Sequence, residues 1–252
     1  MKEKLYTIPL NDAMNAHDEC PFCYIERSLE QDLLDFALGA CASYMESDVR
    51  DMTDKEGFCR THFKKMFDYG NTLGNGWILK THYLRLIKEM KQEFKSYSPI
   101  KMSFKDKLKK NEVSNPIGVW ALEKSQSCYI CKRYAETYDR YMDTFFYLYK
   151  KDSDFVTKLK ESKGFCLPHF GDLLNAAENK LSEKEKQEFF PLVFDLMERN
   201  METLSEDISW LVDKFDYRNK DADWKTSKDA VQRGMQKLTG GYPADPAYKM
   251  NK

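Results

Sequence analysis

The fold is decided by a short stretch that reads Gly164-Phe165-Cys166-Leu167-Pro168-His169-Phe170. An earlier stretch nearly repeats it, as Gly57-Phe58-Cys59-Arg60-Thr61-His62-Phe63. Each stretch is preceded by a Cys-x-x-Cys pair, formed in turn by Cys20 and Cys23 and by Cys128 and Cys131. The chain therefore carries the pattern C-x-x-C followed by G-F-C-x-x-H-F twice, and we expect the fold to bring these eight ligand-type side chains together.

The two copies of the pattern keep nearly the same register. Cys128 follows Cys20 by 108 positions, and Cys166 follows Cys59 by 107. A fixed period of this kind indicates an internal duplication. Three other candidates have no counterpart at this spacing and are left out of the predicted ligand set, namely Cys41 (interpreted as a small core residue), His82, and His17, which stands close to the first pair.

The residue types and their spacing are those of metal ligands. Cysteine thiolates and neutral imidazoles bind Zn²⁺, and positions i and i+3 at a helix start lie on one face, where the helix dipole favours a thiolate. The pattern predicts two closed Cys₃His sites of structural type and two Zn²⁺ ions per chain. An iron–sulfur cluster is the alternative cofactor. The predicted metal ligands are Cys20, Cys23, Cys59, His62, Cys128, Cys131, Cys166 and His169.

The spacing leaves open which ligand pairs share one metal ion. Thirty-five residues separate Cys23 from Cys59, and 34 separate Cys131 from Cys166. A spacer of this length can form an antiparallel helix pair whose open end the metal would close. We favour pairing within each half, because it closes the shorter loop. Pairing across the halves, with the first Cys-x-x-Cys meeting the second Cys-x-x-His, is the alternative.

Apolar residues recur at steps of three and four along the chain, which predicts an all-α fold of helical hairpins. We expect two pseudo-repeated halves, 1–98 and 128–252, joined by a linker at 99–127 and packed as one unit. Residues 1–19 are predicted to be irregular. Pro191 is predicted to interrupt a brief helix before the longest helix of the chain begins.

The composition of the chain weighs against nucleic-acid-binding and membrane-spanning proteins. The 252 residues carry a net charge of −1 with a pI near 6.5, which weighs against nucleic-acid binding through the basic run 105–110. No apolar run is long enough to span a bilayer, and the start of the chain lacks an apolar signal segment. We therefore expect a soluble cytoplasmic protein with no membrane partner. In that reducing compartment, six of seven cysteines in ligand spacing favour metal over disulfides.

Two functions of different class fit this pattern. The first is a non-enzymatic, zinc-binding interaction module for an unknown macromolecular partner. The alternative is a metalloenzyme or redox protein, iron–sulfur or dithiol, that uses the cysteine clusters or a polar cluster near 214–224. A concave pocket at that polar cluster would favour an enzyme, and an exposed patch would favour a binding module. The polar cluster consists of Lys214, Asp216, Tyr217, Arg218, Asp221, Asp223 and Trp224.

The motifs resemble an uncharacterised bacterial family of the domain-of-unknown-function class, found mainly in anaerobic bacteria. The resemblance rests on the two Cys-x-x-Cys pairs, on both Gly-Phe-Cys-x-x-His stretches, and on two later segments. These later segments are Phe215-Asp216-Tyr217-Arg218-Asn219 and Ser227-Lys228-Asp229-Ala230. The likeness spans nearly the whole chain. It implies one integral unit and supplies no established activity.

Overall fold

The computed structural model describes residues 2–99, 114–246 and 248, and for residues 2–4 the backbone alone. Within them the chain forms eleven α-helices and two short 3₁₀ helices, Ser43–Met45 and Tyr217–Asn219, and no strand. The all-α prediction is confirmed. The helices are α1 Lys2–Asn15, α2 Pro21–Leu38, α3 Ser47–Glu56, α4 Arg60–Tyr69, α5 Thr72–Ser96, α6 Pro116–Gln126, α7 Tyr129–Lys151, α8 Ser153–Glu161, α9 Leu167–Lys180, α10 Glu183–Asp213 and α11 Ala230–Thr239.

The first helix was not expected from the sequence. Residues 1–19 were predicted to be irregular, but α1 runs through Pro9 to Asn15. Its side chains Leu10, Ala13 and Met14 are buried in the core. Burial of this face stabilises the helix. The polar local sequence gives no sign of that burial, so the helix was not predicted.

Pro191 does not interrupt the long helix. The predicted break is wrong, because α10 is 31 residues long and contains Pro191 in its interior. A proline inside a helix removes one backbone hydrogen bond and costs about 3 kcal/mol. Phe189 and Val193, on either side of the proline, are fully buried, and Ser182 and Glu185 form a complete capping box at the helix start. Burial of the apolar face and the cap offset the local cost.

The chain divides into two compact units, and neither is continuous in sequence. The first contains Met1–Leu29 and Ala135–Pro246. Its core is rich in aromatic rings, and Phe145 packs against Phe22, Phe155 and Phe165 with ring centroids 5.4–6.2 Å apart. All four of these rings are fully buried.

The second unit contains Glu30–Tyr134 and Ala247–Lys252. Its core includes Leu34, Met66, Ile78 and Ile130, which are at most 1% exposed. The bounds of both units differ from those of the predicted halves, 1–98 and 128–252. The predicted linker contains α6, capped by the side chain of Asn115.

The basic run at 105–110 lies outside the described residues. The idea that the halves are structural repeats stays a prediction. Among the described residues, none of the helices combines the length and apolar character that crossing a membrane requires.

Candidate metal centres

The first cluster brings together Cys20, Cys23, Cys166 and His169, all in the first unit and all buried. The Nδ1 atom of His169 lies 3.4 Å from the sulfur of Cys20, 3.5 Å from that of Cys23 and 3.1 Å from that of Cys166. The sulfurs of Cys23 and Cys166 are 3.6 Å apart. The three cysteines have no exposed surface.

The second cluster brings together Cys59, His62, Cys128 and Cys131, all in the second unit. The Nδ1 atom of His62 lies 3.3 Å from the sulfur of Cys59, 3.2 Å from that of Cys128 and 3.3 Å from that of Cys131. The sulfurs of Cys59 and Cys131 are 3.8 Å apart. This cluster is more open, because Cys131 is exposed and Cys59 is half-buried.

Both clusters have the dimensions of a site for one metal ion. A tetrahedral ion with bonds of about 2.3 Å to sulfur and about 2.0 Å to nitrogen holds sulfur ligands about 3.8 Å apart, and sulfur and nitrogen about 3.5 Å apart. One sulfur pair in each cluster lies 3.6 or 3.8 Å apart, and the sulfur–nitrogen separations are 3.1–3.5 Å. In each cluster all four donor atoms lie within 4.8 Å of one another. The residues therefore fit a single bound ion.

The ligands pair across the halves of the sequence, so the prediction of pairing within each half is wrong. Loop closure favours the shorter loop only weakly, by about 0.6 kcal/mol for each doubling of its length. Packing outweighs that preference. Phe22, between the first two cysteines, packs 5.8 Å from Phe165, and Phe58, next to Cys59, packs 6.3 Å from Tyr129. The aromatic side chains inside the motifs thus select the partner.

Each ligand pair is placed by the start of a helix. Cys59 and Cys166 are the N-cap residues of α4 and α9, and the two other pairs open α2 and α7. Four helix N-termini therefore supply the ligands, two for each cluster, and the partial positive charge there stabilises thiolates. Gly57 and Gly164 precede the N-caps with φ of +63° and +76°, values that glycine adopts without strain.

The metal-free clusters hold protons that a cation has to displace. Burial disfavours the charged form of His169, but its contacts with Cys166 and Cys23 outweigh burial and raise its pKa to about 10. Burial likewise opposes protonation of His62, whereas Cys128 and Glu30 raise its pKa to about 10. Burial also raises the pKa of the Cys20 thiol. Both imidazoles are therefore protonated at neutral pH when no metal is bound.

Metal affinity should consequently rise with pH. Binding requires neutral imidazole and thiolate, so each cluster releases at least one proton below pH 10, and its apparent Kd should fall at least about tenfold for each unit of pH between 6 and 8. A competition titration against a chelator of known affinity at several pH values measures this slope. A Kd that does not change with pH would show that metal binding releases no proton, and therefore that the imidazoles are not protonated in the metal-free clusters.

Glu30 contacts the outer ring nitrogen of His62, the histidine of the second cluster. Its Oε1 atom lies 3.2 Å from His62 Nε2, the nitrogen that faces away from the sulfurs. Burial opposes ionisation of Glu30, but hydrogen bonds from His62, Lys65 and Tyr248 outweigh it and lower its pKa to about 2. An ionised carboxylate on the second ring nitrogen fixes the ring and raises the basicity of Nδ1. No motif in the sequence identifies this residue, which precedes His62 by 32 positions.

Replacing this carboxylate should weaken the second site selectively. We expect Glu30→Gln to lower the metal affinity of the second cluster by about 10- to 100-fold, because the amide keeps the shape and loses the charge. The first cluster, which does not contact Glu30, is the internal control. Chelator competition resolves the two sites, and an equal loss of affinity at both would contradict this role for Glu30.

Lys237 supports the first cluster in a different way. Its ammonium group is 1% exposed and donates hydrogen bonds to the carbonyl oxygen of Glu19 at 2.8 Å and to that of Lys163 at 2.6 Å. The first carbonyl directly precedes Cys20 and the second lies three residues before Cys166. It also pairs with the carboxylate of Glu19 at 3.1 Å. One side chain of α11 therefore joins the two turns that carry the ligands, a role with no sequence signal.

Residues 1–245 match the model of a family of unknown function, DUF6062. The chain belongs to this family. The resemblance to an uncharacterised family is thereby confirmed over nearly the whole chain. A comparison with curated proteins finds no match, and a comparison with solved structures finds none either. The family is one of unknown function, so membership in it assigns no reaction to this chain.

The three candidates left out of the ligand set belong to neither cluster. The Nδ1–H of His82 donates to the carbonyl of Asp54 at 2.9 Å, and its ring fills the space beside Gly57. His17 has a left-handed backbone conformation, with φ of 52°. Cys41 is exposed, so the prediction that it is a small core residue is wrong. It lies directly before Ala42, a residue with φ of 51° between α2 and the first 3₁₀ helix.

The polar cluster at 214–224 is a loop tied together by its own contacts. The buried ammonium of Lys214 donates to the carbonyls of Asn219, Lys220 and Ala222 at 2.5–2.9 Å and lies 5.1 Å from the ring of Trp224. Each of its three protons therefore has an acceptor. The exposed side chain of Arg218 pairs with Asp216. These contacts hold the loop together from the inside.

Proposed function

We propose that the chain is a zinc-binding helical protein with two structural Cys₃His sites, and that it is a module for interaction with another protein. The proposal rests on one observation above all, that the four protein donor atoms of each cluster lie within 4.8 Å of one another, as the ligands of one ion do. Four protein ligands leave no position for substrate, which is the arrangement of structural zinc sites. Thiolate ligands are retained in a reducing compartment such as the cytoplasm, where we place the protein.

The spacing of the donors supports zinc over an iron–sulfur cluster. In a multi-iron cluster the cysteines bind different iron atoms, so their sulfurs stand farther apart than the ligands of one ion. Here all four donors of each cluster lie within 4.8 Å of one another. Three thiolates and one imidazole are also a donor set typical of structural zinc.

Metal analysis tests this proposal. We expect protein purified without oxygen and without added metal to contain two zinc ions per chain and to be colourless. Elemental analysis and a visible spectrum of the same sample give both answers. Iron in place of zinc, with visible absorbance, would contradict zinc, and fewer than two ions per chain would contradict the ligand set.

The surface that supports an interaction role is the loop after α10. Phe215 is 81% exposed and Tyr217 is 85% exposed. Both are held on the loop that Lys214 ties together from inside. Exposed aromatic side chains on an ordered loop are frequent anchors of protein interfaces, because little conformational entropy is lost when they bind.

A photo-crosslinking experiment tests the interaction role. A photoreactive amino acid in place of Tyr217 should give a defined crosslinked partner in an extract of the source cells. The same amino acid in place of Glu183, whose side chain is 89% exposed on α10, is the control. The proposal predicts a partner specific to position 217, and it fails if both positions give the same products or if neither gives any.

A further inference from the structure

The two clusters differ in how far a small oxidant can reach their sulfurs. In the first, Cys20, Cys23 and Cys166 have no exposed surface. In the second, Cys131 is exposed and Cys59 is half-buried. In a zinc-loaded site every ligand sulfur is a thiolate, and oxidation requires contact with the oxidant, so exposure distinguishes the two clusters. The second cluster is therefore the one open to attack.

The two accessible sulfurs are also neighbours. The Sγ atoms of Cys59 and Cys131 lie 3.8 Å apart, and a disulfide bond requires about 2.05 Å. The third sulfur of this cluster differs from them, because Cys128 is 5% exposed and accepts a hydrogen bond from the backbone N–H of Cys131 at 3.5 Å. To form a disulfide, the side chains of Cys59 and Cys131 have to move closer together, and both are at least partly exposed to solvent, whereas Cys128 is buried.

We propose that Cys59 and Cys131 form a peroxide-sensitive pair that opens the second site and releases its metal ion, an inference that rests on the zinc function proposed above. Each thiolate gives up one electron, and a sulfur–sulfur bond forms between them. Hydrogen peroxide takes up the two electrons and two protons from solvent and leaves as two water molecules. Cys128 and His62 remain as the only ligands, which is too few to hold a structural ion.

The first site then keeps its metal under the same conditions. Its three cysteines have no exposed surface, and the ring of the buried Phe22 lies 5.8 Å from that of His169. The C-terminal turn at Gly240 also covers it, since a side chain added there would lie 3.6 Å from the sulfur of Cys166. The protein would thus keep one site as a permanent support and use the other as a response to oxidant.

The experiment exposes the zinc-loaded full chain to excess hydrogen peroxide in the presence of a chromogenic zinc chelator. The zinc content is measured first, and disulfides are mapped afterwards by alkylation and mass spectrometry. We expect one zinc equivalent to be released at least about tenfold faster than the other, with a disulfide between Cys59 and Cys131. A thiol reductant with added zinc should restore both equivalents. The Cys41→Ser variant, which removes the other exposed thiol, should behave as the wild type does.

The outcomes separate the two proposals. A zinc content below two per chain before oxidation would overturn the proposed function and this inference together. Two zinc ions that leave at the same rate, or that both stay, would overturn the inference alone. A disulfide that joins Cys131 to Cys128, or that contains Cys41 or a cysteine of the first cluster, would also overturn it.

Discussion

The Cys166→Ser variant should lose one metal equivalent and unfold the first unit at room temperature. Cys166 is fully buried, and its sulfur lies 3.1 Å from His169 and 3.6 Å from Cys23. Metal binding to small structural zinc peptides contributes about 10–16 kcal/mol. A whole domain is stable by only about 5–15 kcal/mol, so losing part of the metal contribution exceeds the margin.

Elemental analysis and far-ultraviolet circular dichroism of the same sample measure both effects. The matched control is Cys41→Ser, which changes an exposed cysteine outside both clusters and should alter the free energy of unfolding by less than about 0.5 kcal/mol. It should release no metal. Retention of two ions and of the wild-type helical signal by Cys166→Ser would remove Cys166 from the ligand set.

The Lys237→Met variant should be the next most damaging. Methionine keeps the length of the side chain but leaves the carbonyls of Glu19 and Lys163 without their buried donor. It also takes one of three cationic partners from the Glu19 carboxylate, which is 5% exposed, and leaves Arg233 and Lys163 at 3.4 and 3.2 Å among the described residues. Removing one member of a buried charge network costs about 3 kcal/mol or more.

Chemical denaturation compares this variant with Lys228→Met, in which an exposed lysine on the surface just before α11 is changed in the same way. We expect the control to be silent within about 0.5 kcal/mol. Lys237→Met should in addition weaken metal binding at the first cluster, because its two ligand turns are no longer joined. A variant that is destabilised but binds both metals normally would limit Lys237 to a general role in the core.

The sequence alone predicted the all-α fold class, which the structure confirms, and the eight candidate ligands, which the structure brings together. The ligand spacing is local, since residues i and i+3 at a helix start share a face whatever surrounds them. Helical periodicity is local too. Both features are therefore visible without knowledge of the fold, and the structure places all eight predicted ligands in two clusters.

Which ligands share one metal ion could not be predicted from the local sequence. It depends on contacts such as that between Phe22 and Phe165, which are 143 positions apart. The difference in loop closure was too small to decide the matter. Glu30 and Lys237 were missed for the same reason, because an acidic or basic residue on a helix has no sequence mark that shows it will face a ligand turn. The burial of α1 and the continuity of α10 through Pro191 are likewise set by tertiary packing.

Each metal ion should be bound by ligands from both the first and the second half of the chain. Substitution with ¹¹³Cd and a proton–cadmium correlation spectrum tests it directly, because only ligands of one ion show coupling to that ion. We predict two cadmium signals, one coupled to Cys20, Cys23, Cys166 and His169 and the other to Cys59, His62, Cys128 and Cys131. A signal coupled to both Cys20 and Cys59 would contradict it.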